Sequence, residues 1–261
     1  MIGLYDSGLG GLTVLAALRA AGVDQDVVYF ADYAHLPYGD KTDSELHGFL
    51  AENLALLGAQ GVDAVVAACN TSCAVARKRG WPATPFPVLD LIDSAAREFT
   101  STPYRRVAVV ATIATVRSGA YGDAIRAVAP HVRVDEIAAP KLVPIVESGD
   151  AGGAAGRDAV AEITEQIASD VDAVVYGCTH YPLLDRWFAA ALGAGVARVD
   201  PAHAQAHAAS ALIARLGLAP GGATTTYVTN GDPVAFERGL RRLNADVTGN
   251  VRVLCRDEAT L

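Results

Sequence analysis

Two cysteines occupy equivalent positions in two similar stretches of the chain. Residues 62–71 read VDAVVAACNT and residues 171–180 read VDAVVYGCTH, so Cys69 corresponds to Cys178. Each stretch is a short β-branched apolar run, typical of a buried parallel strand, and the cysteine and two polar residues follow it at once. In open α/β sheets, ligands bind just beyond the carboxyl ends of the strands. We therefore predict two related halves that each present one thiol to a shared cleft.

Two thiols in one cleft are compatible with three chemistries. A metal site would use Cys69, Cys73, Cys178 and His180, but the spacing within each pair is unlike that of usual zinc ligands. A single cysteine nucleophile with His180 as its base would leave the matching Cys69 without a role. In the third chemistry, one thiolate removes a proton from a carbon and the opposite thiol delivers one. We favour this two-base hypothesis, because inverting a stereocentre is a quasi-symmetric task that suits two equivalent cysteines.

A more ordinary interpretation is that both cysteines pack in the core, where free cysteine is common. One isolated cysteine would favour that interpretation. Two at equivalent strand ends, each followed by hydrogen-bonding side chains, favour chemistry. Cys73 and Cys255 have no counterpart in the repeat, so we interpret them as core residues or as surface residues without a role.

The thiolate is the reactive form of cysteine, and a helix N-terminus can lower the pKa of a thiol. Both cysteines are expected where a strand ends and a helix starts. His180 could assist Cys178, and Asp6 could take a proton or orient a substrate ammonium group. The other polar residues at strand ends are uncharged, so backbone N–H groups, hydroxyls and an amide would hold a substrate carboxylate. They are Ser7, Asn70, Thr71, Thr112, Thr115 and Thr179.

Composition narrows the class of protein. The chain has 261 residues, which fits one large or two small α/β domains, and 51% of them are hydrophobic. A net charge of −8 argues against a nucleic-acid partner, which would need a basic face. No signal peptide or membrane-length apolar run is visible, and four cysteines form no disulfide framework. We expect a cytoplasmic protein without a membrane or nucleic-acid partner.

Strands and helices are predicted to alternate, which indicates an α/β fold with mainly parallel sheets. Residues 2–5 form the first strand, and a glycine-rich turn at residues 6–11 leads into a helix. The turn lacks the lysine of a phosphate-binding loop, so we expect it to approach something smaller than a nucleotide. Pro140, Pro144 and Glu147 are expected in an irregular connection before the next helix.

The repeat predicts two similar α/β domains, related by a pseudo-twofold axis, with the active site in the cleft between them. The first domain is expected to comprise residues 1–92 and 208–261 and to carry Cys69. The second is expected to comprise residues 93–207 and to carry Cys178. The first domain is discontinuous because the closing strands, at residues 225–229 and 251–254, are expected to pair with it.

Several motifs together resemble those of the glutamate racemase family, and their order and spacing agree over nearly the whole chain. The two cysteine motifs combined with the DSG start make the signal specific. The motifs are IGLYDSGLGGLTV at residues 2–14, PYG at 37–39, ACNT at 68–71, ATIATVRSGAY at 111–121, VPIVESGD at 143–150, GCTHYPLL at 177–184 and NGDP at 230–233.

The resemblance implies a homodimeric racemase that uses no cofactor or metal and interconverts L- and D-glutamate for peptidoglycan synthesis. It implies Cys69 and Cys178 as the two acid/base residues, Asp6 and His180 as their helpers, and Glu147 as a further candidate. Alternatives that stay open are a racemase for aspartate or another amino acid, and a non-catalytic amino-acid-binding protein. The substrate-contacting positions that it implies are Asp6, Ser7, Tyr38, Gly39, Asn70, Thr71, Thr179 and His180.

The chain departs from the family pattern at a few positions. Tyr33 and His35 stand where the family usually has threonine and arginine, Ala139 replaces a usual cysteine, and Cys73 stands where a small residue is common. None of these is an expected catalytic position. The changes at Tyr33 and His35 leave a strict preference for glutamate open.

Overall fold

The strands form two parallel sheets. The structure, a computed structural model, describes residues 1–243 and 252–253. The first sheet has six strands in the order β10-β9-β2-β1-β3-β4, and the second has four in the order β6-β5-β7-β8. The strands are β1 (Ile2–Asp6), β2 (Val27–Ala31), β3 (Ala64–Ala67), β4 (Val88–Asp90), β5 (Arg106–Ala111), β6 (Arg133–Ala138), β7 (Ala173–Gly177), β8 (Ala197–Val199), β9 (Thr225–Thr229) and β10 (Arg252–Val253).

Helices connect the strands, as parallel pairing requires. The predicted capping box at the start of α2 is confirmed: Thr42 accepts a bond from the backbone N–H of Glu45, whose carboxylate accepts one from Thr42. The helices are α1 (Leu12–Ala20), α2 (Asp43–Ala59), α3 (Asn70–Arg79), α4 (Leu91–Glu98), α5 (Ile113–Ser118), α6 (Ala120–Val128), α7 (Leu142–Ser148), α8 (Ala154–Thr164), α9 (Asp185–Leu192), α10 (Pro201–Leu216) and α11 (Pro233–Arg242).

The two copies of the sequence repeat occupy matching places in the two sheets. In the first sheet β1 pairs with β2 on one side and β3 on the other, and in the second β5 pairs with β6 and β7. The repeated runs are β3 and β7, whose residues are all buried, as expected for strands covered on both faces. The predicted fold class, two similar α/β units with parallel sheets, is confirmed.

The last two described strands belong to the first sheet. Strand β9 pairs in parallel with β2, and β10 pairs with β9, as the sequence predicted. The remainder of the strand expected at residues 251–254 lies outside the described residues, as does Cys255. Helix α10 contains the domain boundary expected after residue 207 and packs against both α1 and α4. The domain limits themselves stay a prediction.

The prediction of an irregular connection around Pro144 was wrong. Residues 142–148 form helix α7, which carries both Pro144 and Glu147. Pro144 is the third residue of this helix, where its missing N–H has no intrahelical partner to lose. The proline therefore fits the first turn rather than breaking the helix, and α7 gives Glu147 a fixed position.

The environment of the second cysteine also differs from the expectation. Cys69 directly precedes α3, but after Cys178 a 3₁₀ turn at Tyr181–Leu184 intervenes and α9 begins only at Asp185. Pro182 lies in this turn. Cys69 therefore occupies the N-cap position of an α-helix, whereas Cys178 does not. Among the described helices, none is long and apolar enough to cross a membrane.

Candidate active site

One cleft receives side chains from the ends of both sheets, and both thiols line it. Its empty space is about 550 Å³, including open solvent at its mouth. Ten predicted site residues line it: Ser7, Tyr38, Gly39, Cys69, Asn70, Thr71, Thr112, Cys178, Thr179 and His180. The sequence reasoning had not assigned the other lining residues to the site: Pro37, Asp40, Ile113, Ala139, Pro140, Val143 and Pro144.

Cys69 follows β3 and occupies the N-cap position of α3. Its side chain is buried, and burial raises the pKa of the thiol to about 12, with the nearby Asp6 carboxylate adding to the rise. The hydroxyl and backbone N–H of Ser72 act in the opposite direction as hydrogen-bond partners of the sulfur. These surroundings favour the neutral thiol form of Cys69.

Cys178 directly follows β7 and lies beside a buried pair of charged side chains, His180 and Glu147. Its Sγ atom is 3.7 Å from Nδ1 of His180, and Nε2 of His180 is 2.7 Å from Oε1 of Glu147. Burial alone would lower the pKa of His180, but its bonds to Cys178 and Glu147 and their charges raise it well above its ordinary value. The imidazole is thus held in its protonated form next to the Cys178 sulfur.

Glu147 is fixed by contacts from three parts of the chain. Besides His180, its Oε1 accepts a hydrogen bond from the backbone N–H of Leu9 at 2.8 Å, and its Oε2 accepts one from the Tyr33 hydroxyl at 3.2 Å. Burial opposes ionisation, yet these bonds and the His180 charge lower the pKa of Glu147. Glu147 lies behind His180 rather than on the cleft wall, so it can act on the thiol only through the imidazole.

Asp6 ends β1 and holds the glycine-rich turn. Its Oδ2 accepts bonds from the N–H groups of Gly8 at 3.2 Å and Gly11 at 2.9 Å, and its Oδ1 accepts one from the Thr179 hydroxyl at 3.2 Å. Burial raises the pKa of Asp6, while the His180 charge and these two N–H groups oppose the rise. Asp6 does not line the cleft, and its hydrogen bonds join the turn to the segment that carries Cys178.

The glycine-rich turn allows a very close approach between the two halves. A Cβ atom on Gly10 would lie 2.3 Å from Oγ1 of Thr179 and 2.5 Å from Nδ1 of His180. These distances are shorter than any side chain could tolerate, so glycine is needed here for packing against His180.

Asn70 presents an unused donor to the cleft. Its Oδ1 accepts a hydrogen bond from the Tyr121 hydroxyl at 2.5 Å, but its buried Nδ2 has no hydrogen-bond partner among the described residues. An unpaired buried donor is costly unless a ligand satisfies it. Because Tyr121 fixes which end of the amide faces the cleft, Asn70 is suited to a carboxylate oxygen.

Three threonine hydroxyls form a cluster at the start of α5. Oγ1 of Thr71 lies 2.9 Å from Oγ1 of Thr112 and 3.3 Å from that of Thr115. Thr112 also caps α5 by accepting a bond from the backbone N–H of Thr115. Thr71 and Thr112 line the cleft, whereas Thr115 is fully buried behind them and positions their hydroxyls.

Charge in the cleft comes from few groups. No lysine or arginine of the described residues lines it, and Asp40 is the one carboxylate on its wall within the same residues. Nor do the described residues include a group of three or more His, Cys, Asp or Glu side chains that could hold a metal ion. An anionic substrate would therefore be bound by N–H groups, hydroxyls, the Asn70 amide and the His180 imidazolium.

The structure also accounts for the departures from the family pattern. Tyr33 binds Glu147, and His35 binds Asp32 with 2.6 Å between Nδ1 and Oδ1, so neither side chain lines the cleft. Ala139 lines it and adds apolar surface. The Cys73 thiol is buried and donates to the Ala67 carbonyl at 3.4 Å, away from the cleft, in keeping with a core residue.

Comparison with known proteins gives a consistent picture. Residues 13–209 match the sequence profile of the Asp/Glu/Hydantoin racemase family. A glutamate racemase of Gloeobacter violaceus is 41% identical over 240 residues, which cover 90% of this chain and 89% of that protein. The crystal structure of Thermus thermophilus glutamate racemase in complex with β-chloro-D-alanine superposes with a TM-score of 0.86 and 34% identity, covering 98% of this chain and 97% of that one.

A second similar structure contains a bound amino acid. Francisella tularensis glutamate racemase in complex with D-glutamate superposes with a TM-score of 0.85 and 27% identity, covering 98% of this chain and 97% of that one. The similarity thus extends through both sheets and through the segments that form the cleft.

Proposed function

Because the chain belongs to the Asp/Glu/Hydantoin racemase family, we propose that it is a glutamate racemase that needs no cofactor and uses two cysteines. Relatives named glutamate racemase support the choice of substrate. The product D-glutamate would serve peptidoglycan synthesis in the cytoplasm, and the working form would be a homodimer.

The observation that carries this proposal is the position of the two thiols. Cys69 and Cys178 reach one cleft from the ends of strands in different sheets. Two thiols on opposite faces of a substrate Cα can divide proton removal and proton delivery between them. In each turnover one cysteine begins as the thiolate and the other as the thiol, and their states are exchanged at the end.

The two directions of the reaction use the same residues in opposite order. With L-glutamate, the Cys178 thiolate takes the α-proton and the Cys69 thiol protonates the other face of the planar carbanion. With D-glutamate, Cys69 is the base and Cys178 the acid. His180 stabilises the Cys178 thiolate by its positive charge, Glu147 keeps His180 protonated, and Asp6 positions the turn and Thr179.

The substrate carboxylates would be held by neutral donors. Asn70 offers its free Nδ2 to one carboxylate oxygen, and the start of α3 adds backbone N–H groups, which favour an anion. The predicted hydroxyl and backbone contacts complete the set. They are Ser7, Tyr38, Gly39, Thr71, Thr112 and Thr179 on the cleft wall, with Thr115 behind Thr71 and Thr112.

The decisive experiment follows the circular dichroism of pure L-glutamate and pure D-glutamate with purified enzyme, after chelator treatment and without added pyridoxal phosphate. We expect both signals to decay to zero, and L-aspartate to lose its signal far more slowly. Faster loss with aspartate would favour the alternative substrate. Saturable glutamate binding without α-hydrogen exchange in deuterium oxide would indicate a binding protein and contradict the proposal.

A further inference from the structure

Glu147 belongs to the second half of the molecule, but two of the groups that hold its carboxylate belong to the first. The backbone N–H of Leu9, in the turn after β1, donates to Oε1 at 2.8 Å. The hydroxyl of Tyr33, two residues after β2, donates to Oε2 at 3.2 Å. His180, the third partner, lies beyond β7 in the second half. The carboxylate that keeps His180 charged is therefore held across the boundary between the two halves.

The Tyr33 hydroxyl decides how the Glu147 carboxylate is turned. A carboxylate oxygen can only accept, so the phenol donates its proton to Oε2. Among the described residues no other donor meets Oε2, whereas Oε1 accepts from both His180 and Leu9. The Glu147 side chain is only 9% exposed, so little water can replace the phenol. Tyr33 thus fixes the carboxylate with Oε1 directed at His180.

Helix α11 holds Tyr33 and the backbone of Glu147 together. The Tyr33 ring packs on the buried ring of Phe236, with 5.4 Å between the ring centroids. Arg242, the last residue of the same helix, donates to the backbone carbonyl of Glu147 at 3.1 Å and to that of Ser148. The phenol and the carboxylate that it binds are therefore both attached to one rigid element.

We propose that Tyr33 is a positioning residue for Cys178, which rests on the racemase function proposed above. Tyr33 does not line the cleft and acts through two other side chains. The phenol holds the Glu147 carboxylate, the carboxylate keeps the His180 imidazole charged, and the imidazolium stabilises the Cys178 thiolate. No hydrogen bond between described residues joins Tyr33, Glu147 or His180 to Cys69. Tyr33 therefore matters when Cys178 is the base, and not when Cys69 is.

The contact depends on the length of the tyrosine side chain. Threonine, the usual residue of the family at this position, carries its hydroxyl on Cβ and could not reach Glu147 from the same place on the backbone. Tyrosine places its hydroxyl at the far end of the ring, where it meets Oε2 of Glu147. The support that Tyr33 gives to Glu147 is thus specific to the residue found in this chain.

Elimination from β-chloroglutamate separates the two cysteines, whereas racemisation does not. In racemisation both thiols act in each direction, and the equilibrium constant fixes the ratio of the two kcat/KM values. In elimination one thiolate takes the α-proton, the released electron pair forms a Cα–Cβ double bond, and chloride leaves. The enamine then reacts with water to give 2-oxoglutarate and ammonia. The enantiomer that Cys178 handles is the one that a Cys69→Ser variant still eliminates.

The test variant is Tyr33→Phe, which removes the hydroxyl and keeps the ring on Phe236. For the Cys178 enantiomer, kcat/KM of elimination should fall about tenfold, the effect of losing one hydrogen bond. Elimination from the mirror-image substrate should be unchanged. Tyr176→Phe is the matched control, because it also removes a phenol that donates to a carboxylate, that of Asp185 at 2.7 Å, outside the cleft. It should change neither rate.

Glu147→Gln shows whether Tyr33 acts through the carboxylate. In this variant His180 has lost its charged partner, so adding Tyr33→Phe should cause no further loss of elimination from the Cys178 enantiomer. Losses that multiply in the double variant would contradict the positioning role. Equal losses for both enantiomers, or wild-type rates in Tyr33→Phe, would contradict it as well.

Alkylation by iodoacetamide gives a second measurement, which needs no turnover. The rate at which a thiol is alkylated follows its thiolate fraction, and mass spectrometry of the two cysteine peptides measures each rate separately. Tyr33→Phe should slow the alkylation of Cys178 and leave that of Cys69 unchanged. An unchanged rate at Cys178 would overturn the positioning role, whether or not the protein racemises glutamate. A wild-type enzyme that leaves glutamate unracemised would instead remove the proposed function.

Discussion

Nε2 of His180 lies 2.7 Å from Oε1 of Glu147, and the opposite ring nitrogen faces the Cys178 sulfur. Both side chains are at least nine-tenths buried, so the attraction between them is weakly screened. The carboxylate keeps the imidazole charged, and that charge stabilises a neighbouring thiolate. Cys69 has the α3 N-terminus and Ser72 instead, so the two cysteines are supported by different means.

Replacing either catalytic cysteine should abolish racemisation. We expect Cys69→Ser and Cys178→Ser each to lower kcat by about a hundredfold or more, because a serine hydroxyl is a far weaker acid than a thiol and supplies almost no alkoxide to act as the base at neutral pH. The measurement is loss of circular dichroism from each glutamate enantiomer. Cys73→Ser is the control, since Cys73 packs in the core. Near-normal turnover of Cys69→Ser would contradict the two-base mechanism.

The two cysteine variants should differ in which enantiomer they still process. With β-chloroglutamate no reprotonation at Cα is needed, so one competent base suffices. From the family resemblance, Cys178→Ser should eliminate from the D-enantiomer through Cys69, and Cys69→Ser from the L-enantiomer through Cys178. The measurement is 2-oxoglutarate formed by each variant from each pure enantiomer. The same preference in both variants would mean that the thiols do not face opposite sides of Cα.

Glu147→Gln should lower the free energy of unfolding by about 1.5–3 kcal/mol, the range for a hydrogen bond to a charged group. The folded-state pKa of Glu147 is lowered, so its contribution is lost as pH falls through that value. The folded-state pKa of His180 is raised, so its contribution is lost as pH rises through that value.

Glu147 and His180 both contribute their full stabilisation between the ordinary pKa values of the two side chains, that is from about pH 4.3 to 6.5. The difference in the free energy of unfolding between wild type and Glu147→Gln should therefore be largest in that range. Urea unfolding of wild type and variant across pH measures it. The exposed Glu165→Gln serves as the control for the loss of a charge. A difference independent of pH would contradict the assigned pairing.

Asn70→Asp should weaken substrate binding by replacing the free donor with an acceptor. Loss of a hydrogen bond to a charged group costs about 1.5–3 kcal/mol, which is roughly a 10- to 150-fold rise in KM. Steady-state kinetics with L-glutamate should show this rise with a smaller change in kcat. An unchanged KM would mean that Nδ2 of Asn70 does not meet the substrate.

Gly10→Ala should inactivate the enzyme while leaving it folded. The new Cβ would collide with Thr179 and His180, and a displacement of about 1 Å at a reacting group can cost roughly a hundredfold in rate. Gly48→Ala is the matched control, because a Cβ there meets nothing within 4 Å and the position is inside α2. That control should gain about 0.5–1 kcal/mol of stability. Full activity of Gly10→Ala would show that the turn moves freely away from His180.

Local patterns in the sequence predicted the alternation of strands and helices, the capping box at Thr42 and the two cysteines at strand ends. These features depend on residues close in sequence, so periodicity and motif spacing are sufficient to predict them. Ten of the predicted site residues line the cleft; the motif resemblance implied nine of them, and Thr112 was predicted from its place at a strand end. The prediction at Pro144 was wrong because proline breaks a helix in its interior but fits its first turn. The sequence did not show where this helix begins, so it could not distinguish these two situations.

Only the tertiary structure decided how the cysteines are supported. Tyr33 meets Glu147 across 114 residues of sequence, Tyr121 meets Asn70 across 51, and Ser72 meets Tyr5 across 67. No spacing rule connects such pairs, because the distance between their side chains depends on how helices and sheets pack in three dimensions rather than on the local path of the chain. The sequence by itself therefore determined which residues could do chemistry, and packing determined which of them form hydrogen bonds with one another.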